Sequence, residues 1–169
     1  PFPFLPRHLT LIGSLTIGIP AFFLALAPND RLAHPGFVGR VLRFAVPPGV
    51  LAAITTFVGY LVGRGALDLA RDEARTQAAL ILVSAGLLVL VQVARPFNAL
   101  RATLVGAMVG TFALALLTPA GRTFFALEVP PADALVVALA LVVAFDLSWR
   151  LLRRRVPALH LDDPVTDRG

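Results

Sequence analysis

The 169-residue chain is 57% hydrophobic and 15% charged, with mean hydropathy +0.82, too continuously apolar for a soluble domain of its size. All fifteen positive charges are Arg and there is no Cys, which excludes Schiff-base and phosphate-loop lysines, disulfides and thiolate chemistry. The net charge of +5 sits on Arg residues flanking apolar runs, so it is assigned to orientation in a bilayer rather than to nucleic acid.

Five apolar stretches can each cross a hydrocarbon core of roughly 30 Å: 9–27, 44–62, 77–94, 100–117 and 134–152. Backbone amides go unhydrated in lipid, so helices are expected, and the lack of two-residue alternation argues against a barrel. The predicted fold is an all-α, polytopic integral membrane bundle of five transmembrane helices over 1–155. The segment 156–169, "VPALHLDDPVTDRG", is read as a disordered cytoplasmic tail. The chain starts Pro1-Phe2-Pro3 without a basic segment ahead of a short apolar core, so a signal peptide is not expected and a fragment or processed piece is.

The first stretch contains "LTIGIPAFFLALAPN", with Gly18 and Pro20 near the middle of an uncharged run. Pro20 lacks an N–H and clashes one turn back, so the carbonyl of Thr16 loses its usual partner, while Gly18 lets the backbone deviate. Carbonyls freed at membrane depth are tolerated when buried in protein or lining a wet cavity, and transporters use such breaks to coordinate cations. Ser14 and Thr16 add hydroxyl oxygens beside the break. A simple proline kink relieved by a Thr side chain is the competing reading, and both stay open at this point.

In the second stretch "PPG" at 47–49 predicts a helix that starts late, after an interfacial segment, or kinks there. Thr55, Thr56 and Tyr60 are polar positions best read as packing. In the third, Ser84 and Gln92 lie eight residues apart, near one helical face, as oxygen ligands or as helix-to-helix hydrogen bonds. Gly106 and Gly110 in the fourth form a small-xxx-small pair that permits close helix approach. Asp146 and Arg150 in the fifth are spaced for an ion pair beside Trp149. His8, His34 and His160 fall on separate predicted loops and tails, and His160 beside Asp162 and Asp163 is read as solvated tail rather than a metal site. No catalytic residues are assigned.

Connections alternate in charge. Arg7, Arg64, Arg71, Arg75 and Arg122 fall on one side, and the other ten Arg, including Arg150, Arg153, Arg154 and Arg155, on the opposite side. Positive charge favours the cytoplasm, which puts the N-terminus outside and the "RLLRRRV" end inside a plasma membrane.

"PFPFLPRHLTLIGSLTIGIPAFFLALAPN" resembles the sixth membrane helix of P-type cation-transporting ATPases, closest to actinobacterial calcium or cation-translocating members. The resemblance lies in Pro3 and Pro6 before the helix, the Gly18-Ile19-Pro20 break, and Ala27-Pro28-Asn29 after it. The count and order of stretches fit helices six to ten, with "PPG" and "ARPFN" also matching. It implies a pump whose phosphorylated aspartate, actuator and nucleotide-binding domains precede this segment, so Mg2+ and ATP belong to the full-length parent and this piece binds neither. Its partners are then the transported cation, calcium favoured, the bilayer, and the parent's preceding helices and cytoplasmic domains.

Thr16 falls on a family ligand position, whereas the family's carboxylate falls on Ile17 and an amide-bearing position on Gly13. Thr16, Ser14, Gly18, Pro20 and Gln92 are the candidate ion-pathway residues, and hard cations bound through hydroxyl and carbonyl oxygens fit them. The face around Gly18 should be exposed, because the fourth and fifth helices are missing. The competing classes are a small structural membrane subunit, separated by whether the upstream reading frame encodes Asp-Lys-Thr-Gly, and a channel or secondary carrier, which lacks an inverted repeat or pore-lining charge here.

Overall fold

The structure, a computed structural model, describes residues 3–26, 37–95 and 99–155. Ala27-Pro28-Asn29, His34, residues 96–98 of "ARPFN", and the 156–169 segment with His160, Asp162 and Asp163 lie outside the described residues.

The described elements are helical: α1 (Pro6–Gly13), a π turn (Ser14–Gly18), α2 (Ile19–Ala25), α3 (Phe37–Gly65), α4 (Arg71–Val93), α5 (Ala99–Leu117), α6 (Pro119–Phe125) and α7 (Ala132–Arg155). Among the described residues, five stretches are long and apolar enough to cross a membrane: Pro6–Ala25, Val41–Gly65, Arg71–Val93, Ala99–Leu117 and Ala132–Arg155. Their number is the five expected from hydropathy, with α1, the π turn and α2 making one broken span.

The third span, α4, is the axis of the bundle: 56% of its apolar window is buried, against 17–22% for the other four. One side of α4 packs with α3 and α7, the other with the broken span and α5. Ala79, Val83, Leu87 and Leu90 recur at helical spacing on the second side and meet Leu11, Ile12 and Leu15 of the broken span. Lipid tails are as apolar as these side chains, so close packing and hydrogen bonds, rather than escape from water, hold such helices together.

Polar ties lie at both ends of the bundle. At one end Thr76 Oγ1 accepts from the Glu128 N–H at 3.0 Å and Gln77 Nε2 donates to the Ala134 carbonyl at 3.2 Å. At that end Glu73 accepts from the Ala70 N–H at 2.9 Å, and with Asp72 it places negative charge on the first turn of α4, where the helix dipole favours it. At the other end Trp149, fully buried, stacks edge-on with Phe44 at 6.0 Å.

Of the two readings of "PPG", the late start is not met: α3 begins at Phe37 and runs through Pro47 and Pro48. The connection before the fifth span holds a short helix, α6, which Thr118 caps by accepting from the Gly121 N–H at 3.1 Å, with Pro119 entering the first turn.

The Asp146–Arg150 ion pair is present, Nε to Oδ2 2.7 Å, with the Arg150 side chain 64% exposed. So exposed a pair contributes about 0.5 kcal/mol. Asp146→Asn in the full-length protein is therefore expected to leave the melting temperature and the apparent cation affinity unchanged within error, measured by thermal unfolding in detergent and cation-stimulated ATP hydrolysis.

Candidate functional site

The break in the first span is built by its sequence. Ile19 donates its N–H five residues back to Ser14 rather than four back to Leu15. The next residue, Pro20, has no N–H to offer. The Leu15 carbonyl therefore lacks both its four-residue and its five-residue donor, and the Thr16 carbonyl lacks its four-residue donor. Pro20 then sits at the start of α2, where a missing N–H and a fixed φ are accommodated.

The side chains around the break divide into two faces. Leu15 and Pro20 are buried, and Ile17, Gly18 and Ile19 are exposed, Ile17 at 66%. This is the open face expected around Gly18. Thr16 points the other way, toward α4: a Cβ placed on Gly86 would lie 2.6 Å from Thr16 Cγ2 and 2.9 Å from its Cβ. Thr16 Oγ1 donates to the Ile12 carbonyl at 2.8 Å. That bond uses the hydroxyl's one proton and leaves its two lone pairs as acceptors. Ser14, Thr16, Gly18 and Pro20 are thus gathered within one turn and a half, with Ser14 half-buried inside the π turn.

Gln92 is elsewhere. Near the last turn of α4, its Oε1 accepts from Trp149 Nε1 at 2.7 Å and Arg153 Nη1 at 2.6 Å. Arg153 also lies 6.0 Å from the Trp149 ring centre. With two donors on its oxygen, one of them cationic, Gln92 is fastened to α7 and does not join the break. Ser84 is half-buried on α4, two residues before Gly86, and Thr55 donates back to the Leu51 carbonyl at 2.8 Å.

His8 was expected on a loop, yet it lies in α1 with no exposed surface. Its Nε2 donates to the Ala126 carbonyl at 3.1 Å, so that nitrogen carries the proton. Ala126 closes α6 in the left-handed conformation, φ 53°, and the partner of His8 depends on that turn, which no local motif announces. Nearby, a cavity of about 290 Å³ is bordered by Asp72, Arg122 and Glu128; none of the break residues lines it. Gly106 and Gly110 face open space, so the close approach expected of them is not made among the described residues. Within the same residues no three His, Asp or Glu side chains gather as a metal-holding group.

These features define a class: a five-span helical membrane domain whose first span is interrupted by a proline-terminated π turn. The chain is 41% identical to the calcium-transporting ATPase CtpE of Mycolicibacterium smegmatis over 83% of its own length. To the same-named proteins of Mycobacterium bovis and Mycobacterium tuberculosis it is 41% and 40% identical, over 84% of the chain. The chain spans about 18% of the length of each of these relatives. It is therefore homologous to a segment of actinobacterial calcium-transporting P-type ATPases. No family model matches the chain, and no solved structure does.

Proposed function

We propose that this chain is the C-terminal membrane part of an ATP-driven cation pump of the P-type class, with calcium as the favoured cation, and that its first span contributes oxygens to the ion pathway. The observation that carries this reading is the π turn at Ser14–Gly18, ended by Pro20, in a chain homologous to calcium-transporting ATPases. Its oxygens are hard ligands of the kind calcium takes: the carbonyls of Leu15 and Thr16, left short of donors by the π turn at Gly18 and by Pro20, and the hydroxyls of Ser14 and Thr16. Ile17 contributes no charge, so the remaining ligands and the carboxylates come from preceding helices of the full-length protein. Gln92, held by Trp149 and Arg153, serves in this reading as a tie between the third and fifth spans.

The full-length protein would use Mg2+ and ATP in its cytoplasmic domains, none of which is within this chain. Ten of fifteen Arg on the side of Arg153–Arg155 favour a plasma-membrane protein with its C-terminus cytoplasmic and the start of its first span extracytoplasmic.

The test is transport. Inside-out vesicles carrying the full-length protein are expected to accumulate radioactive calcium when ATP is added, and vesicles carrying the protein with its phosphorylatable aspartate replaced are not. Equal accumulation in both would overturn the pump assignment.

A further inference from the structure

The glycines of the described helices fall into different surroundings. A Cβ added to Gly13, Gly49, Gly106 or Gly110 would meet nothing within 4 Å, and one added to Gly59 or Gly63 would meet the flexible ends of Ile81 and Gln77. Gly86 differs, because the space its missing side chain leaves is filled by Thr16, from the π turn of the neighbouring span. Glycine weakens the interior of a helix, and Gly86 lies inside the 23 residues of α4. At this position the lost helix stability is matched by a close approach that no other residue type allows.

We propose that Gly86 is a positioning residue of the cation pathway: its bare backbone is the seat that fixes Thr16, and with it the hydroxyl oxygen of the π turn. The inference rests on the pump reading above. Two contacts set the Thr16 rotamer. Its methyl and Cβ lie against Gly86, and its Oγ1 donates to the Ile12 carbonyl at 2.8 Å. A β-branched side chain has few χ1 choices, so both contacts together select one. In that rotamer the proton is spent on Ile12 and the lone pairs are left for a cation.

A methyl group on residue 86 would stand 2.6 Å from Thr16 Cγ2 and 2.9 Å from its Cβ. Ordinary carbon contacts begin near 3.5 Å, so the turn must retreat by roughly 1 Å. Calcium takes its oxygens within a range of about 0.3 Å, and a retreat of that size takes the Thr16 oxygen out of reach.

The measurement is calcium-stimulated ATP hydrolysis by the full-length protein, with kcat and the apparent KM for calcium read separately. Gly86→Ala is expected to raise the apparent KM about tenfold with kcat within about twofold, the pattern of lost ground-state binding. Gly106→Ala, whose Cβ meets open space, should change neither. Thr16→Ser removes the Cγ2 that clashes and keeps the hydroxyl. Because the Cβ contact at 2.9 Å remains, Gly86→Ala combined with Thr16→Ser should return the KM part of the way to that of Thr16→Ser alone, by about threefold or more relative to Gly86→Ala, a coupling expected only of residues in contact.

An unchanged KM in Gly86→Ala, or equal KM values in Gly86→Ala and the double variant, would overturn the seat. Should Gly86→Ala fail to accumulate in membranes, recovery of folded protein by Thr16→Ser supports the contact, and failure of the double variant as well overturns it. A wild-type protein without calcium-stimulated hydrolysis overturns the pump reading and this inference with it, whereas an active wild type with a silent Gly86→Ala overturns the seat alone.

Discussion

Replacing Pro20 by Ala in the full-length protein is expected to lower calcium-stimulated ATP hydrolysis at sub-saturating calcium at least about tenfold while making the protein slightly harder to unfold. The two effects have one cause. Alanine supplies the N–H that proline lacks, and the Leu15 carbonyl, whose alternative donor Ile19 is directed to Ser14, is next to receive it. An unpaired carbonyl at membrane depth is costly, and pairing it contributes about 1–2 kcal/mol. The same bond removes an acceptor from the ion pathway beside Ser14 and Thr16. Activity and stability thus move in opposite directions, as they do where a strained element serves function. A thermal unfolding midpoint in detergent and the calcium dependence of hydrolysis check the two halves separately. A loss of both would mean that Pro20 is needed only for folding.

The second large effect lies on the opposite side of α4, toward α7, and has the reverse signature. Gln92→Leu removes the one oxygen that receives both Trp149 Nε1 and Arg153 Nη1. Trp149 has no exposed surface, so its N–H is left buried and unpaired, at a cost of about 1–3 kcal/mol. Arg153 is partly exposed and can turn to lipid headgroups, which limits its share. The expected outcome is a lower unfolding midpoint with the apparent calcium affinity within about twofold of wild type. Gln92→Glu keeps an acceptor for both donors and should retain most of the stability. Unaltered stability with weakened calcium affinity in Gln92→Leu would instead make Gln92 an ion ligand.

The spans were legible because each is a long run of apolar residues, a signal that depends on no neighbour. The break was legible for a similar reason, since Pro20 lacks its N–H in any environment. Its form as a π turn was less so. Whether Ile19 donates four or five residues back depends on how Leu15 and Thr16 pack on α4, and that is tertiary information. Thr118-Pro119 carries a helix-start signature, yet the short α6 behind it has Gly121 and Thr123, which weaken any local reading. His8 and Gly86 were passed over for a shared reason. What each touches, the left-handed Ala126 or the methyl of Thr16, lies far away in sequence. Gly106 and Gly110 show the converse case, a pattern that permits close packing on a face where the described residues supply none. Gln92 was legible as a polar group in an apolar run, open to either an ion-ligand or a helix-to-helix reading, but the sequence did not say that α7 would present two donors to it.

The central claim is that the proline-terminated turn of the first span holds part of a calcium site. Equilibrium binding of radioactive calcium to the purified full-length protein, without ATP, tests it apart from every catalytic step. Wild type should bind at least about tenfold more tightly than Pro20→Ala, with Gln92→Glu close to wild type. Equal binding by wild type and Pro20→Ala would contradict it.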